Sequence, residues 1–313
     1  MTHAGGATGQ QRGGAGSVGA GSGGAGGGRG RPLHLQRFAS VEAFLGVASP
    51  FLADREAEHN LIFGVCHNLL TNPEAFAGPP YLAVVTNADN DVVACAMQTP
   101  PWQLILSEID DSRAIELLVE DRLADPPDGV LGPTNLVASY AHLMADRTGL
   151  AARLAIGERI FQLTALVPPR RANGAMRPAR PTDRGLLLDW LTDFTDEALA
   201  GETHHDLEGV ATRFANGEGR RMQLWLDNGI PVSMCGVGSP TPHGVRIGPV
   251  FTPADMRGRG YASNLVARAC EVELDAGRRY CFLFTDRSNP TANHIYQSIG
   301  FEPVTDVDRW VFA

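Results

Sequence analysis

Apolar residues in the first half of the chain recur at helical spacing from Val41 to Leu70 and then at alternating spacing, which predicts a helical opening followed by strands. Tyr81 to Thr86 and Val92 to Gln98 flank the turn formers Asn87-Ala88-Asp89-Asn90-Asp91 and read as a hairpin. Leu104 to Ile109 reads as a strand, Ser112 to Leu123 as a helix, Gly129 to Leu131 as a short strand, Asn135 to Asp146 as a helix and Arg159 to Leu166 as a strand. Residues 169–175, in a stretch rich in Pro, Arg and Gly, read as a linker.

The second half repeats that order. Met176 to Ala179 predicts a strand, and Thr182-Asp183 supplies caps for a helix with apolar Leu186, Leu187, Trp190, Leu191 and Phe194. A second hairpin, Gln223 to Leu226 and Val232 to Val237, surrounds Asp227-Asn228-Gly229, where Asn-Gly favours a tight turn. Then come a strand at Val245 to Thr252, a helix at Ser263 to Ala276, a strand at Tyr280 to Phe284, a helix at Thr291 to Ile299 and a strand at Asp308 to Phe312. The order predicts a duplicated α/β fold, residues 33–168 and 176–313. Residues 1–32 read as a disordered tail, because so much Gly, Ala and Ser cannot bury enough apolar surface to order itself.

Composition narrows the partners. A chain of 313 residues accommodates two domains, and its net charge of −9 disfavours duplex nucleic acid or an anionic membrane while suiting a cationic small molecule. All 26 basic residues are arginine, so Schiff-base chemistry and a Walker-type phosphate loop, which need lysine, are excluded. Cys66, Cys95, Cys235, Cys270 and Cys281 lie far apart in apolar surroundings without a CxxC pair, the pattern of reduced, buried thiols rather than of disulfides or a zinc site. No apolar run reaches the length of a membrane span, and no secretion signal opens the chain, so a cytoplasmic monomer or homodimer is expected.

The candidate chemistry starts at Arg257-Gly258-Arg259-Gly260-Tyr261-Ala262, between a strand and a helix. Glycines let the backbone approach a ligand, and the first amides of a helix have no internal acceptor, so this turn suits a phosphate. A dinucleotide fold is disfavoured: about half a dozen residues separate the strand end from Gly258, and too little chain follows for further βα units. Downstream lies Asn289-Pro290-Thr291-Ala292-Asn293-His294-Ile295-Tyr296-Gln297-Ser298-Ile299-Gly300-Phe301. A strand ending at Pro253, then Arg-x-x-Gly-x-Ala, a strand, and Asn-x-x-Ala-x-x-x-Tyr-x-x-x-Gly-Phe resembles the GNAT superfamily of acyl-CoA-dependent N-acyltransferases over Met176 to Ala313.

That resemblance implies a tandem protein of two GNAT-like domains. Each would be a mostly antiparallel twisted sheet flanked by helices, with a splayed strand pair at the cofactor site of the second. It implies an N-acyltransferase that moves an acetyl group from acetyl-CoA to a primary amine by direct attack, with no metal. The amides of Arg257 to Ala262, with Ser263 following, would hold the pyrophosphate, and the guanidinium groups of Arg257 and Arg259 could add contacts. Arg259 reads equally well as solvated surface. Gly248-Pro249 marks a splayed strand, whose Val250, Phe251 and Thr252 would pair with pantetheine, an amide near Val250 stabilising the oxyanion. Asn289 resembles the asparagine that bonds the coenzyme arm and Tyr296 the tyrosine that protonates the departing thiolate, with Asn293 on the line between them.

The resemblance leaves the general base open, because Val245 to Thr252 contains no acid. Asp196, Glu197, Glu202, His204, His205, Asp206 and Glu208 form an acidic segment that would attract an amine, and Glu202 and His204 are the candidates taken from it. The missing base also admits a non-catalytic acyl-CoA sensor. In the first half, Asp110-Asp111-Ser112 stands where the phosphate loop would be and would repel a pyrophosphate, so residues 33–168 read as a degenerate copy that packs against the active one.

Overall fold

The computed structural model describes residues 31–76, 78–198 and 206–313. The first half runs β1 (His34–Arg37), α1 (Val41–Asp54), α2 (Asn60–Thr71), β2 (Tyr81–Thr86), β3 (Val92–Gln98), β4 (Leu104–Leu106), α3 (Ala114–Arg122), β5 (Gly129–Pro133), α4 (Thr134–Thr148) and β6 (Ala152–Leu163). The second repeats it with β7 (Ala175–Pro178), α5 (Arg184–Ala198), α6 (Leu207–Ala215), β8 (Arg220–Asp227), β9 (Ile230–Gly238), β10 (Gly244–Phe251), α7 (Tyr261–Asp275), β11 (Tyr280–Asp286), α8 (Pro290–Ser298) and β12 (Glu302–Phe312).

The repeat does not produce two separate sheets. All the strands join one 12-stranded sheet in the order β1-β2-β3-β4-β5-β12-β6-β11-β10-β9-β8-β7, so the halves have exchanged their last strands. β12 pairs with β5 of the first half and β6 pairs with β11 of the second, and the two exchanged strands pair with each other from Glu302↔Gln162 to Phe312↔Ala152. Unpaired strand edges leave backbone groups without partners, and the exchange covers them. Both central strands are longer than their sequence patterns predict, β6 starting at Ala152 and β12 at Glu302, because each is paired along both edges.

Polar residues fit this centre through specific contacts. Arg159 forms a two-pronged pair with Asp306 at 2.6 and 3.0 Å, and Arg287 reaches the buried Asp308 at 2.7 Å. Residues 169–175 are packed rather than free: Ala172 lies in the core, and the Trp225 indole donates to the Asn173 carbonyl at 2.8 Å.

Side-chain alternation sorts the helices onto two faces. Phe161 and Leu163 of β6 pack with α7, and Trp310 of β12 packs with α3 and α4 on that same face. The opposite face carries α1 and α2 over Leu82, Val84, Cys95 and Met97, and α5 and α6 over Met222, Leu224 and Met234. The helical opening is two helices, broken at residues 55–59 by an elbow built around His59. Its Nδ1–H donates to the Leu52 carbonyl at 2.9 Å, and its Nε2 accepts from the Glu108 amide at 3.0 Å.

Burial lowers the His59 pKa to about 4, so the ring is neutral in the folded protein. The unfolded chain binds a proton near pH 6.5 that the folded one refuses, so this site's contribution is fully present above that pH. It is lost as pH falls toward 4, amounting to about 3 kcal/mol. Thermal unfolding should show a midpoint that drops over this window, and the His59 ring resonances should stay those of the neutral form down to about pH 5.

Candidate active site

β10 and β11 run parallel but pair only from Gly244↔Tyr280 to Arg246↔Phe282. Beyond that point β11 continues to Asp286 paired with β6 alone, while β10 bulges against β9 between Ile247 and Val250. Pro249 has no N–H with which to continue a ladder, and Gly248 takes a φ of +129° that a side chain would strain. The bulge also reverses which residues face which side: Val245 and Ile247 lie in the α7 core, whereas Phe251 crosses to pack on Trp190 at 6.2 Å. The Arg220 Nη1 donates to the Gly248 carbonyl at 2.7 Å and holds the bulge from the α5 and α6 side. The strands therefore part beyond Arg246 and Phe282, leaving a cleft between them.

On the α7 face the glycine loop meets the start of the helix. Gly258 and Gly260 have φ of +76° and +80°, and a Cβ built on Gly258 would meet nothing within 4 Å, so the loop's outer surface is open. The Asn264 amide bonds the Gly260 carbonyl at 3.1 Å, while the amides of Tyr261, Ala262 and Ser263 have no acceptor among the described residues. Three free amides at the positive end of a 15-residue helix make an anion cradle. The Asn264 side chain steadies it, donating to the Gly260 and Arg170 carbonyls at 2.9 and 3.0 Å.

Residues 186–301 match the model of the acetyltransferase (GNAT) family. Residues 186–301 are a GNAT domain by that match. Over most of its length the protein is also similar in fold to a Drosophila protein (TM-score 0.63, 12% identity, 89% of this chain and 97% of that one). A tandem GNAT protein from the clavulanic acid biosynthesis pathway, solved without acetyl-CoA, is similar at TM-score 0.53 and 14% identity, covering 90% of this chain and 98% of that one. A GCN5-related N-acetyltransferase from Sphaerobacter thermophilus is similar at 0.52 and 17%, covering 89% and 94%. No curated protein matches the sequence significantly.

Within the GNAT domain, Tyr296 and Val250 both pack against the α7-face core that holds Cys235, and Val250 pairs with Cys235 across the ladder. Tyr296 stands edge-on to Phe301 at 6.0 Å, and burial pushes its phenol well above the ordinary range, so it carries its proton at neutral pH. The Phe251 and Thr252 carbonyls already accept bonds, from the Ser233 hydroxyl at 3.0 Å and from Arg257 Nε at 2.8 Å.

Arg257 also grips Glu197 with two bonds of 2.9 and 2.7 Å, and Arg259 donates to the Asp255 carbonyl at 3.1 Å. The Tyr261 side chain turns into the core and donates to Asp227, leaving only its amide to the cradle. Asn289 caps α8, accepting from the Ala292 amide at 3.0 Å, and Asn293 donates to the Asn289 carbonyl at 2.8 Å. Glu202, His204 and His205 lie outside the described residues. Asp206 caps α6, accepting from the Gly209 amide at 2.9 Å. No group of three or more metal-ligating side chains occurs among the described residues, and no described helix is long and apolar enough to cross a membrane.

The opposite face holds charged groups that sequence reading missed. β6 brings Glu158 beside Asp286, the Arg246 guanidinium lies 4.2 Å from the centre of the Phe284 ring, and Arg220 sits beyond it. Burial raises the Glu158 carboxyl above its ordinary range and lowers Arg246 to about 10 and Arg220 to about 9, both still protonated at neutral pH. The one sequence signal was polar Gly157-Glu158-Arg159 before an apolar run, and it does not say which cleft the strand will border.

In the first half the matching strands β4 and β5 also pair over just two positions, but Asp110 there binds Arg55 and Asp111 binds Arg113. Carboxylates occupy the place of the cradle. Gly248→Ala should destabilise the protein by about 1–3 kcal/mol, since its φ suits glycine alone. Chemical denaturation would register this as a lower midpoint, and an unchanged midpoint would contradict the strained bulge.

Proposed function

We propose that the GNAT domain transfers an acetyl group from acetyl-CoA to an amine by direct attack on the thioester. The carrying observation is the cleft between β10 and β11, with the anion cradle of α7 and the protonated Tyr296 on one face. The free amides of Tyr261 to Ser263 and the open backbone at Gly258 and Gly260 would hold the pyrophosphate. The β10 backbone near Val250 would line the pantetheine arm. The thioester supplies the activated acyl carbon. Tyr296, whose hydroxyl has no partner among the described residues, would donate its proton to the departing sulfur. Arg257 contributes by bracing α5 through Glu197, and Asn289 and Asn293 by fixing the start of α8.

The five cysteines, all free and buried, suit the reducing cytoplasm in which we place the protein. Consumption of thioester in the presence of an amine panel supports this reading over a binding module. Tyr296→Phe should lower turnover roughly 100-fold while leaving the CoA dissociation constant nearly intact, as steady-state kinetics and calorimetry would report. Gly260→Glu places a carboxylate in the cradle and should weaken CoA binding by a factor of about 100 or more, with circular dichroism confirming the fold. Normal affinity in that variant would remove the phosphate assignment.

A further inference from the structure

The face of the cleft away from the cradle has a pattern of charge that the chain itself does not neutralise. Arg220, Gly238, Arg246 and Phe282 stand in one row across β8, β9, β10 and β11. The only residue between the two arginines is a glycine, and a Cβ there would lie 2.9 Å from the Arg220 side chain. Arg220 can therefore lie flat across β9 to the Gly248 carbonyl, while Arg246 turns along β11 over Phe284. Both side chains point to the place where the strands part. Neither meets a carboxylate within ion-pair distance among the described residues, although the two positive charges repel each other.

Glu158 lies on the same face, two positions along β6 from Ile160, the partner of Phe284. It is close enough to Arg246 and Arg309 to feel their charge, yet it forms no ion pair with Arg246. Arg246 and Glu158 are each largely buried yet keep partial exposure. Desolvated charges left without partners are costly, and a site that keeps two guanidinium groups and an opposed carboxylate apart is suited to a guest carrying both signs.

We propose that Arg220 and Arg246 bind the carboxylate of the acceptor, which is an amine of the α-amino-acid class, and that Glu158 faces its nitrogen as the general base. This rests on the acyl-transfer reading above. Planar guanidinium groups match a carboxylate with paired bonds. A phosphate guest fits poorly, because the cradle for one is on the other face and Glu158 would repel its second charge. The ammonium gives one proton to Glu158, the freed lone pair forms the C–N bond, and the C–S bond breaks. The sulfur takes the Tyr296 proton, the second nitrogen proton restores the phenol, and Glu158 releases its proton to solvent. The base therefore comes from the first half of the chain, and the acid from the second.

The test pairs amino acids with their decarboxylated amines as acceptors of acetyl-CoA, in the intact protein. The proposal expects kcat/KM for the acid to exceed that for the amine by roughly 100-fold, and Arg246→Met to collapse that ratio toward one. Glu158→Gln should lower kcat about 100-fold and remove the acidic limb of the kcat/KM profile, which Arg246, Arg309 and Asp286 flank, with the KM for the acid little changed. Equal use of acids and amines overturns the carboxylate pair while leaving acyl transfer standing. A ratio that depends instead on a succinyl rather than an acetyl donor assigns the arginines to the acyl group and also overturns it. If no amine is acetylated, calorimetry of amino acids with the CoA-loaded protein decides: binding by the native chain and its loss in Arg246→Met support the pair, and absence of binding overturns it.

Discussion

The ladder between β6 and β12 is the contact on which the rest of this molecule depends. Each half ends in a strand that it does not keep, and the two strands lie antiparallel at the centre, each covering an edge of the other half. Backbone hydrogen bonds along an edge must be satisfied, and here that requirement binds the copies into one body. The Arg159–Asp306 pair crosses that ladder between directly opposed residues, and Gly157 leaves the room through which the Arg287 side chain reaches Asp308.

The site inherits its shape from this centre. β11 is held by β6 along its length, so it cannot follow β10 when the bulge at Gly248 and Pro249 turns that strand away. A bulged strand beside a fixed one gives a cleft. The dipole end of α7 and the protonated Tyr296 lie on one face of the sheet, and the arginines and Glu158 on the other. Glu158 borders the second half's cleft because the strand that carries it has been exchanged.

Local spacing made much of this legible. The glycine loop, the helix after it and the segment from Asn289 to Phe301 each sit within a short stretch whose pattern dictates its own backbone, and the structure has them as elements in that order. Side-chain contacts within those elements were less legible. Asn289 and Asn293 bond backbone around the start of α8, and Arg257 pairs with Glu197, a partner 60 residues away that no local pattern names. β1 and α6 escaped notice because each is short and partly polar, and tertiary packing rather than intrinsic pattern stabilises them.

The sequence by itself determined the duplicated order of elements and the glycine turn that opens α7 in one half only, with Asp110 and Asp111 in the matching place of the other. It also determined that the splayed strand carries no acid. Only the tertiary structure decided that the halves share one sheet, that the expected linker is packed, and that Glu158, Arg220 and Arg246 meet on one face. Pairing between strands far apart in the chain depends on which edges are left open once every element is placed, and no local pattern records that.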